Sequence, residues 1–305
     1  MKTTCLINNY NYGKFIVESV QSVLNQTVSF DEIIIVDDCS TDDSVEIITN
    51  NFSDSPEIKL VLKKQNEGQL SAFNEGYLAS RGDLIFFLDS DDIYQPTYLE
   101  EILNFYQKHP DCDFLFCSHE KFGTVEGISL PYETDRDLGY AIILTLYNPQ
   151  WKGVITSAIS MKRKILNRFL PIPYLEDWRR RADDCLIWGA SLVGAKRFYM
   201  AKPLVKYRMH GSNFMLTYQA NISTVYQRFV SLNYMFEDIR KKMNYGSELY
   251  QLAHLEFRTI PCPTTQEFVL YFKLIMSFSI PFYKKLGMLK PVFQHFLKNG
   301  KFRSR

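Results

Sequence analysis

The sequence predicts an α/β protein with a doubly wound, mostly parallel sheet flanked by helices and followed by a C-terminal helical segment. Over roughly the first 120 residues, short runs rich in Val, Ile and Phe alternate with stretches of helical periodicity. Continuous apolar runs are typical of strands buried on both faces, and the alternation of strands and helices is typical of a parallel sheet. Most of these runs end in a polar cluster.

The predicted elements follow in chain order. Strands are predicted at residues 4–7, 32–36, 59–63 and 84–88, and helices between them at 15–24, 44–51 and 69–80. Apolar residues three and four positions apart, such as Ile16, Val20 and Val23, indicate the helices. Later in the chain we expect a helix over 96–108, a strand over 114–117, a helix headed by Asp183 and a strand near Phe198.

Three of the predicted strands end in polar residues, at 8–11, 37–38 and 89–92. In a doubly wound sheet, ligands bind beyond the carboxyl ends of the strands, so we expect these three clusters to meet at one edge. The third cluster presents three carboxylates, those of Asp89, Asp91 and Asp92. Like charges this close need a cation or donor groups, and the predicted position opposite a second Asp pair favours a divalent metal over a helix-capping turn.

Composition and charge exclude several classes of protein. The chain has 305 residues and a net charge of +1, which is not the balance of a nucleic-acid-binding protein. Its six cysteines form no CxxC pair, so we expect free thiols in a reducing compartment and hence a cytoplasmic protein. Neither a signal peptide nor a membrane-spanning helix is expected, because no apolar run has the required length and flanks.

Four ordered blocks resemble family 2 glycosyltransferases of the GT-A fold. They lie at residues 6–11, 34–42, 66–76 and 82–92, and two weaker blocks, at 183–188 and 207–212, extend the resemblance to about residue 213. The resemblance implies an inverting enzyme that uses a nucleotide-sugar, with UDP favoured, and Mn²⁺ or Mg²⁺. Processive members of the family carry a Gln-x-x-Arg-Trp block that this sequence lacks, so a single-addition enzyme is expected.

The resemblance also implies a role for each matching residue. Asn8, Tyr10 and Asp38 match the nucleobase pocket, with Tyr10 stacking on the base and Asp38 reading its edge. Asp91 matches the position that holds the ribose and contributes to the metal site. The remaining matches are Asp92 as a metal ligand supported by Asp89, Asp184 as the general base, and Arg208 and His210 as a late block that closes over the diphosphate, with His210 also a metal ligand.

The family pattern leaves one alternative open at the base. Where the family usually has Glu before the catalytic Asp, this chain has Asp183, and Glu176 with Asp177 lies just upstream as a competing pair. We prefer Asp184 because Trp188 and Gly194 then fall at the spacing of the family. Residues 1–215 are expected to form the catalytic domain, with a nucleotide-sugar half to about residue 120 and an acceptor half beyond it, and residues 216–305 a helical segment.

The C-terminal segment is basic and aromatic-rich. From Phe268 to the end there are eight Lys or Arg and no Asp or Glu. Two interpretations stay open: an interfacial helix whose lysines meet anionic headgroups, or a pair of helices packed on the catalytic domain or in a dimer. The function expected is sugar transfer to a saccharide or lipid-linked acceptor, the alternative being a catalytically silent nucleotide-sugar-binding scaffold subunit.

Overall fold

The computed structural model describes residues 1–149, 154–173, 176–211 and 221–301. Its centre is one ten-stranded mixed sheet with the order β3-β2-β1-β4-β9-β6-β10-β5, to which β7 adds beside β6 and β8 beside β10. The strands are β1 Thr3–Asn9, β2 Glu32–Asp37, β3 Ile58–Leu62, β4 Leu84–Asp89, β5 Ile93–Tyr94, β6 Phe114–Gly123, β7 Gly127–Ser129, β8 Arg136–Gly139, β9 Ile159–Lys162 and β10 Arg197–Met209.

Helices flank the sheet and continue beyond it. They are α1 Gly13–Leu24, α2 Ser44–Phe52, α3 Gln69–Ala79, α4 Tyr98–Lys108, α5 Ile142–Tyr147, α6 Arg163–Leu166, α7 Asp183–Leu192, α8 Ile222–Lys242, α9 Ala253–Arg258, α10 Thr265–Ser277 and α11 Phe282–Asn299. The long strand pairs (β1 with β2 and β4, β2 with β3, β6 with β10) are parallel, and the short ones are antiparallel. This confirms the predicted fold class and the C-terminal helices.

Most predicted elements appear within two residues of their expected bounds, because each of the buried strands is a continuous apolar run. Residues 33–36 and 84–88, for example, are at most 1% exposed. Two strands are longer than predicted. β6 continues from Cys117 to Gly123, and β10 includes Tyr207 and Arg208, which the sequence indicated only as a polar block. The two strands pair in parallel along this extension, so backbone hydrogen bonding between them overrides the polar character of the side chains.

The described residues form two hydrophobic cores. The main core surrounds the sheet and also contains Leu232, Met235, Phe236 and Ile239 of α8. A second core joins α5 to α9, α10 and α11, and its largest fully buried side chains are Tyr271 and Phe257. The predicted domain boundary at residue 215 lies outside the described residues, and the division into two domains stays a prediction.

The C-terminal helices pack on the protein, as one of the two interpretations expected, and they also keep an exposed apolar face. Within the described part of the chain, no helix combines the length and the apolar character needed to cross a bilayer. All six cysteines are free, and Cys5 and Cys117 are buried in the core as expected for small apolar side chains.

Candidate active site at the strand ends

The three polar clusters meet at one edge of the sheet, as the sequence predicts. Asn8 at the end of β1 lies opposite Val36 on β2 and opposite Asp89 on β4. The amide of Asn8 donates to Asp89 Oδ1 over 3.0 Å, which ties the first cluster to the third. Its own Oδ1 is buried and has no hydrogen-bond partner among the described residues, so Asn8 keeps an acceptor at this edge.

Asp38 shapes the loop that leads into α3. Its buried carboxylate accepts the backbone N–H of Gly68 over 2.6 Å and that of Glu67 over 3.1 Å, and it forms an ion pair of 2.5 Å with Lys63. These contacts explain why a carboxylate stands here: they fix the turn at Gly68, whose φ of +91° suits glycine. Reading of the base edge by Asp38 stays a prediction.

Tyr10 and Tyr12 lie just beyond β1 and face different surroundings. The Tyr10 side chain is 43% exposed, which leaves its ring accessible for stacking on a base. Tyr12, which the sequence reasoning missed, is half-buried, and its ring meets the His210 ring edge-on at 5.7 Å. Burial and the neighbouring Asp91 raise the pKa of Tyr12, so its hydroxyl stays protonated beside the acidic cluster. The position of Tyr12 directly after the Asn-Tyr-Asn block was the sequence signal that could have identified this residue.

The acidic cluster after β4 is buried. Burial, with the charge of Asp91 next, raises the pKa of Asp89 to about 6, and the same causes raise the pKa of Asp92 well above its usual range. Asp92 is fully buried, and its two oxygens accept from the Arg208 N–H (2.9 Å) and the Ser157 hydroxyl (2.5 Å). Raised carboxyl pKa values show a concentration of negative charge that a cation at this edge would relieve.

β10 brings the late block onto this cluster, because β5, which follows Asp92 directly, pairs antiparallel with β10. His210 Nε2 lies 2.9 Å from Asp91 Oδ2. Arg208 donates from Nε to the Asp91 carbonyl oxygen (2.8 Å), forms an ion pair of 2.5 Å with Glu18, and has its guanidinium 4.7 Å from the centre of the Phe15 ring. The structure therefore joins two blocks that are more than a hundred residues apart.

The three predicted metal ligands do not form one three-membered set. Over the described ranges, no group of three or more His, Cys, Asp or Glu side chains is arranged to hold a metal ion. Both oxygens of Asp92 already accept hydrogen bonds, whereas Asp91 and His210 converge on each other. A role of Asp91, Asp92 and His210 as metal ligands therefore stays a prediction.

Asp183 and Asp184 at the start of α7 differ in their surroundings. Asp184 is 5% exposed and is paired with Arg228 and, at 3.1 Å, with Arg181. Burial, followed by the charges of Asp184 and Asp89, raises the pKa of Asp183 to about 7. The head of α7 and the end of β4 are neighbours, because the Gln69 side chain bonds both Asp89 and Ala182.

Gln69 links these two parts of the site. Its amide nitrogen donates to Asp89 Oδ1 over 3.1 Å, and its amide oxygen accepts the N–H of Ala182 over 3.0 Å. Sequence reasoning missed both Gln69 and Arg228. Gln69 follows the Asn-Glu-Gly block and was within reach of a motif argument, whereas Arg228 lies in a helix with no motif around it.

The competing acidic pair is less well placed. The Glu176 side chain is 83% exposed and forms an ion pair with Arg179 at 3.5 Å. The side chain of Asp177 lies outside what the structure describes, as do residues 212 and 213 after the late block. Glu176 is thus exposed where Asp184 is buried, and the choice between the two pairs stays a prediction.

Comparison with known proteins identifies the family of this chain. The family model for glycosyl transferase family 2 matches residues 4–170, which is more than half of the chain. The chain belongs to glycosyl transferase family 2. An uncharacterized glycosyltransferase of Nostoc sp. is 30% identical over 272 residues, covering 85% of this chain and 81% of the relative. The putative glycosyltransferase EpsH of Bacillus subtilis is 27% identical, with 78% and 72% covered.

A structural likeness to a solved protein extends over the C-terminal helices. The crystal structure of S. aureus TarS 1–349 in complex with UDP-GlcNAc matches this chain with a TM-score of 0.64 and 15% identity, and the match covers 99% of this chain and 93% of that one. At this identity the likeness concerns the fold alone. It confirms the GT-A-like architecture, and the family assignment makes the protein a glycosyltransferase.

Proposed function

We propose that this glycosyltransferase moves a sugar, with inversion, from a UDP-sugar to a hydroxyl of a saccharide or lipid-linked acceptor in glycan or surface-polysaccharide synthesis. The observation that carries the proposal is the approach of His210 to Asp91 over 2.9 Å, beside buried Asp92 and on the same edge as Asp183–Asp184. UDP is favoured because TarS was crystallised with UDP-GlcNAc.

Asp91 and His210 would hold a divalent metal, Mn²⁺ or Mg²⁺, and such a metal neutralises the charge that develops on a diphosphate leaving group. Asp92 supports this pair indirectly, because its 2.9 Å hydrogen bond with the Arg208 N–H fixes the backbone of Arg208. Asn8 keeps a buried acceptor and Tyr10 an exposed ring, which suit a nucleobase at the end of β1.

Inversion needs one base that accepts the proton of the acceptor hydroxyl, and no covalent nucleophile. Asp184 is the proposed base, with Arg228 and Arg181 holding its carboxylate in place. Asp183, whose pKa is raised to about 7, is the neighbouring carboxyl that an experiment must compare with it. A base whose pKa lies near the working pH suits proton transfer at physiological pH.

The test combines donor binding with turnover. UDP-, dTDP- and GDP-sugars are titrated with Mn²⁺ and then with EDTA, and nucleotide release and the anomer of the product are measured for Asp91→Asn, Asp184→Asn and Asp183→Asn. Asp54→Asn, at an exposed loop position, is the matched control. We expect metal-dependent binding that is lost in Asp91→Asn, and turnover reduced by about a hundredfold to ten-thousandfold in Asp184→Asn with binding kept.

Two results would contradict the proposal in different places. If Asp183→Asn, and not Asp184→Asn, abolished turnover, the base assignment would be wrong while sugar transfer stood. If no nucleotide-sugar bound in the presence of metal, the silent scaffold alternative would replace the enzyme.

A further inference from the structure

The last helix of the described chain presents a second apolar face to solvent. On α11, Phe282, Leu286, Phe293 and Leu297 are 61%, 50%, 53% and 57% exposed. Their spacing of four, seven and four residues places them on one side of the helix, and we call them the apolar stripe. An adjoining side carries the residues buried in the second core, Met288, Val292 and Phe296.

α10 widens this surface. Val269 and Phe272 are 40% and 42% exposed. The Phe268 ring lies 6.4 Å from the Phe272 ring and 5.8 Å from the Phe293 ring, centre to centre, so aromatic contacts connect the outer faces of the two helices. Together, Phe272 and the apolar stripe form what we call the C-terminal face. An apolar surface that spans two helices is larger than the isolated exposed side chains common on proteins, and indicates an interaction site.

Every charged residue that follows Glu267 on α10 and α11 is a lysine. Lys273 follows Val269 by one helical turn, and Lys290 lies between Leu286 and Phe293 on α11. Residues 268–301 contain six lysines and no Asp or Glu. Among the ion pairs of the described residues, none involves these lysines, and the Lys285 side chain donates a hydrogen bond to the Met276 carbonyl oxygen.

We propose that the C-terminal face docks on an anionic phospholipid bilayer. The exposed aromatic and aliphatic side chains would enter the headgroup and acyl boundary, and the lysines would meet the negative lipid headgroups. The helices lie in this interface and do not cross it, since neither is long and apolar enough to span a membrane.

A second copy of the chain fits this face less well. A symmetric dimer brings the same patch of each subunit together. The lysines of both copies would then be brought into one interface, with no Asp or Glu in residues 268–301 to compensate. Charge complementarity therefore favours the lipid surface.

The experiment measures binding of the full chain to vesicles by flotation. Vesicles of phosphatidylcholine with about a third phosphatidylglycerol are compared with pure phosphatidylcholine at low and high salt. We expect binding to the anionic vesicles only, and weaker binding at high salt. Lys273→Glu with Lys290→Glu, and separately Phe282→Ser with Leu286→Ser, should each reduce binding by about tenfold or more.

Matched variants test whether position matters and not charge or hydrophobicity alone. Lys108→Glu with Lys241→Glu changes the net charge equally at exposed sites elsewhere, and Leu78→Ser with Ile128→Ser removes two other exposed apolar side chains. Both should bind vesicles as the wild type does. Nucleotide release measured on each variant separates lost docking from lost folding, because the acidic cluster lies on other elements.

Three outcomes would overturn the proposal. The first is no binding to anionic vesicles, and the second is equal binding to neutral and anionic vesicles. The third is a dimer in sedimentation equilibrium that Phe282→Ser with Leu286→Ser converts to a monomer without any effect on vesicles, which would assign the face to a second copy of the chain.

Discussion

Replacement of Glu256 is the sharpest test of how the C-terminal helices are held to the catalytic fold. This side chain is 7% exposed and joins three elements. It accepts the backbone N–H groups of Ile143 (2.8 Å) and Leu144 (2.9 Å) at the start of α5, and the hydroxyl of Tyr271 on α10 (2.9 Å). A carboxylate suits the first turn of a helix, where backbone donors have no partner within the helix.

Glu256→Ala leaves these three donors without their acceptor. A buried donor left unsatisfied costs about 1–3 kcal/mol, and partial entry of water into the vacated space reduces the sum, so we expect the free energy of unfolding to fall by about 3–5 kcal/mol. Glu256→Gln retains one acceptor oxygen and should cost about 1–2 kcal/mol. Urea unfolding followed by circular dichroism measures both, with the exposed Glu248→Ala as control.

The same residue predicts a dependence on pH. Burial raises the pKa of Glu256 above its value in the unfolded chain. Its contribution is therefore fully present below the unfolded pKa and is lost as pH rises through the folded pKa, because the folded state then holds a desolvated charge. The advantage of the wild type over Glu256→Gln should narrow as pH rises above the pKa of an unfolded glutamate, about 4.3, and through the raised folded pKa. A Glu256→Ala variant within about 0.5 kcal/mol of the wild type would refute the reasoning.

Three further predictions concern the candidate site. Gly68→Ala should lower the free energy of unfolding by about 2–4 kcal/mol, since the new Cβ would lie 2.3 Å from Arg179 Cα and the backbone φ is +91°. An unchanged melting temperature in thermal unfolding would contradict this expectation. Asp38→Asn should weaken UDP binding by about tenfold in calorimetry, because one loop N–H loses its acceptor. An unaltered affinity would show that this loop does not contribute to nucleotide binding. Arg228→Ala should lower kcat by about tenfold or more with little change in KM, because Asp184 loses an ion-pair partner, and Arg228→Lys should recover part of the lost kcat. A kcat of Arg228→Ala equal to that of the wild type would show that the ion pair only stabilises the fold.

Residues whose role depends on their immediate neighbours were predicted well. The strand that ends at Asp89 could be recognised because five apolar residues precede three carboxylates within one short segment. The edge at which Asn8 and Asp89 meet followed from the rule that parallel strands share the direction of their carboxyl ends. Strand ends were less certain, and β10 ran through the block at Tyr207 because pairing with β6 continued there.

The roles of individual carboxylates could not be predicted in the same way. The resemblance implies a metal-binding role for both Asp91 and Asp92, yet Ser157 and Arg208 donate to the two oxygens of Asp92, whereas Asp91 lies against His210. The serine and the arginine approach from separate strands and turns, and no local pattern specifies which oxygen each of them reaches.

The sequence by itself determined the alternation of strands and helices, the polar edge and the family, because hydrophobic periodicity and ordered motifs are local properties of the chain. Only the tertiary structure decided that Arg228 pairs with Asp184, that Gln69 bridges β4 and α7, and that Glu256 caps α5. These contacts join residues that are distant in sequence. They depend on how helices and strands pack around shared cores, and no short segment of the sequence specifies that packing.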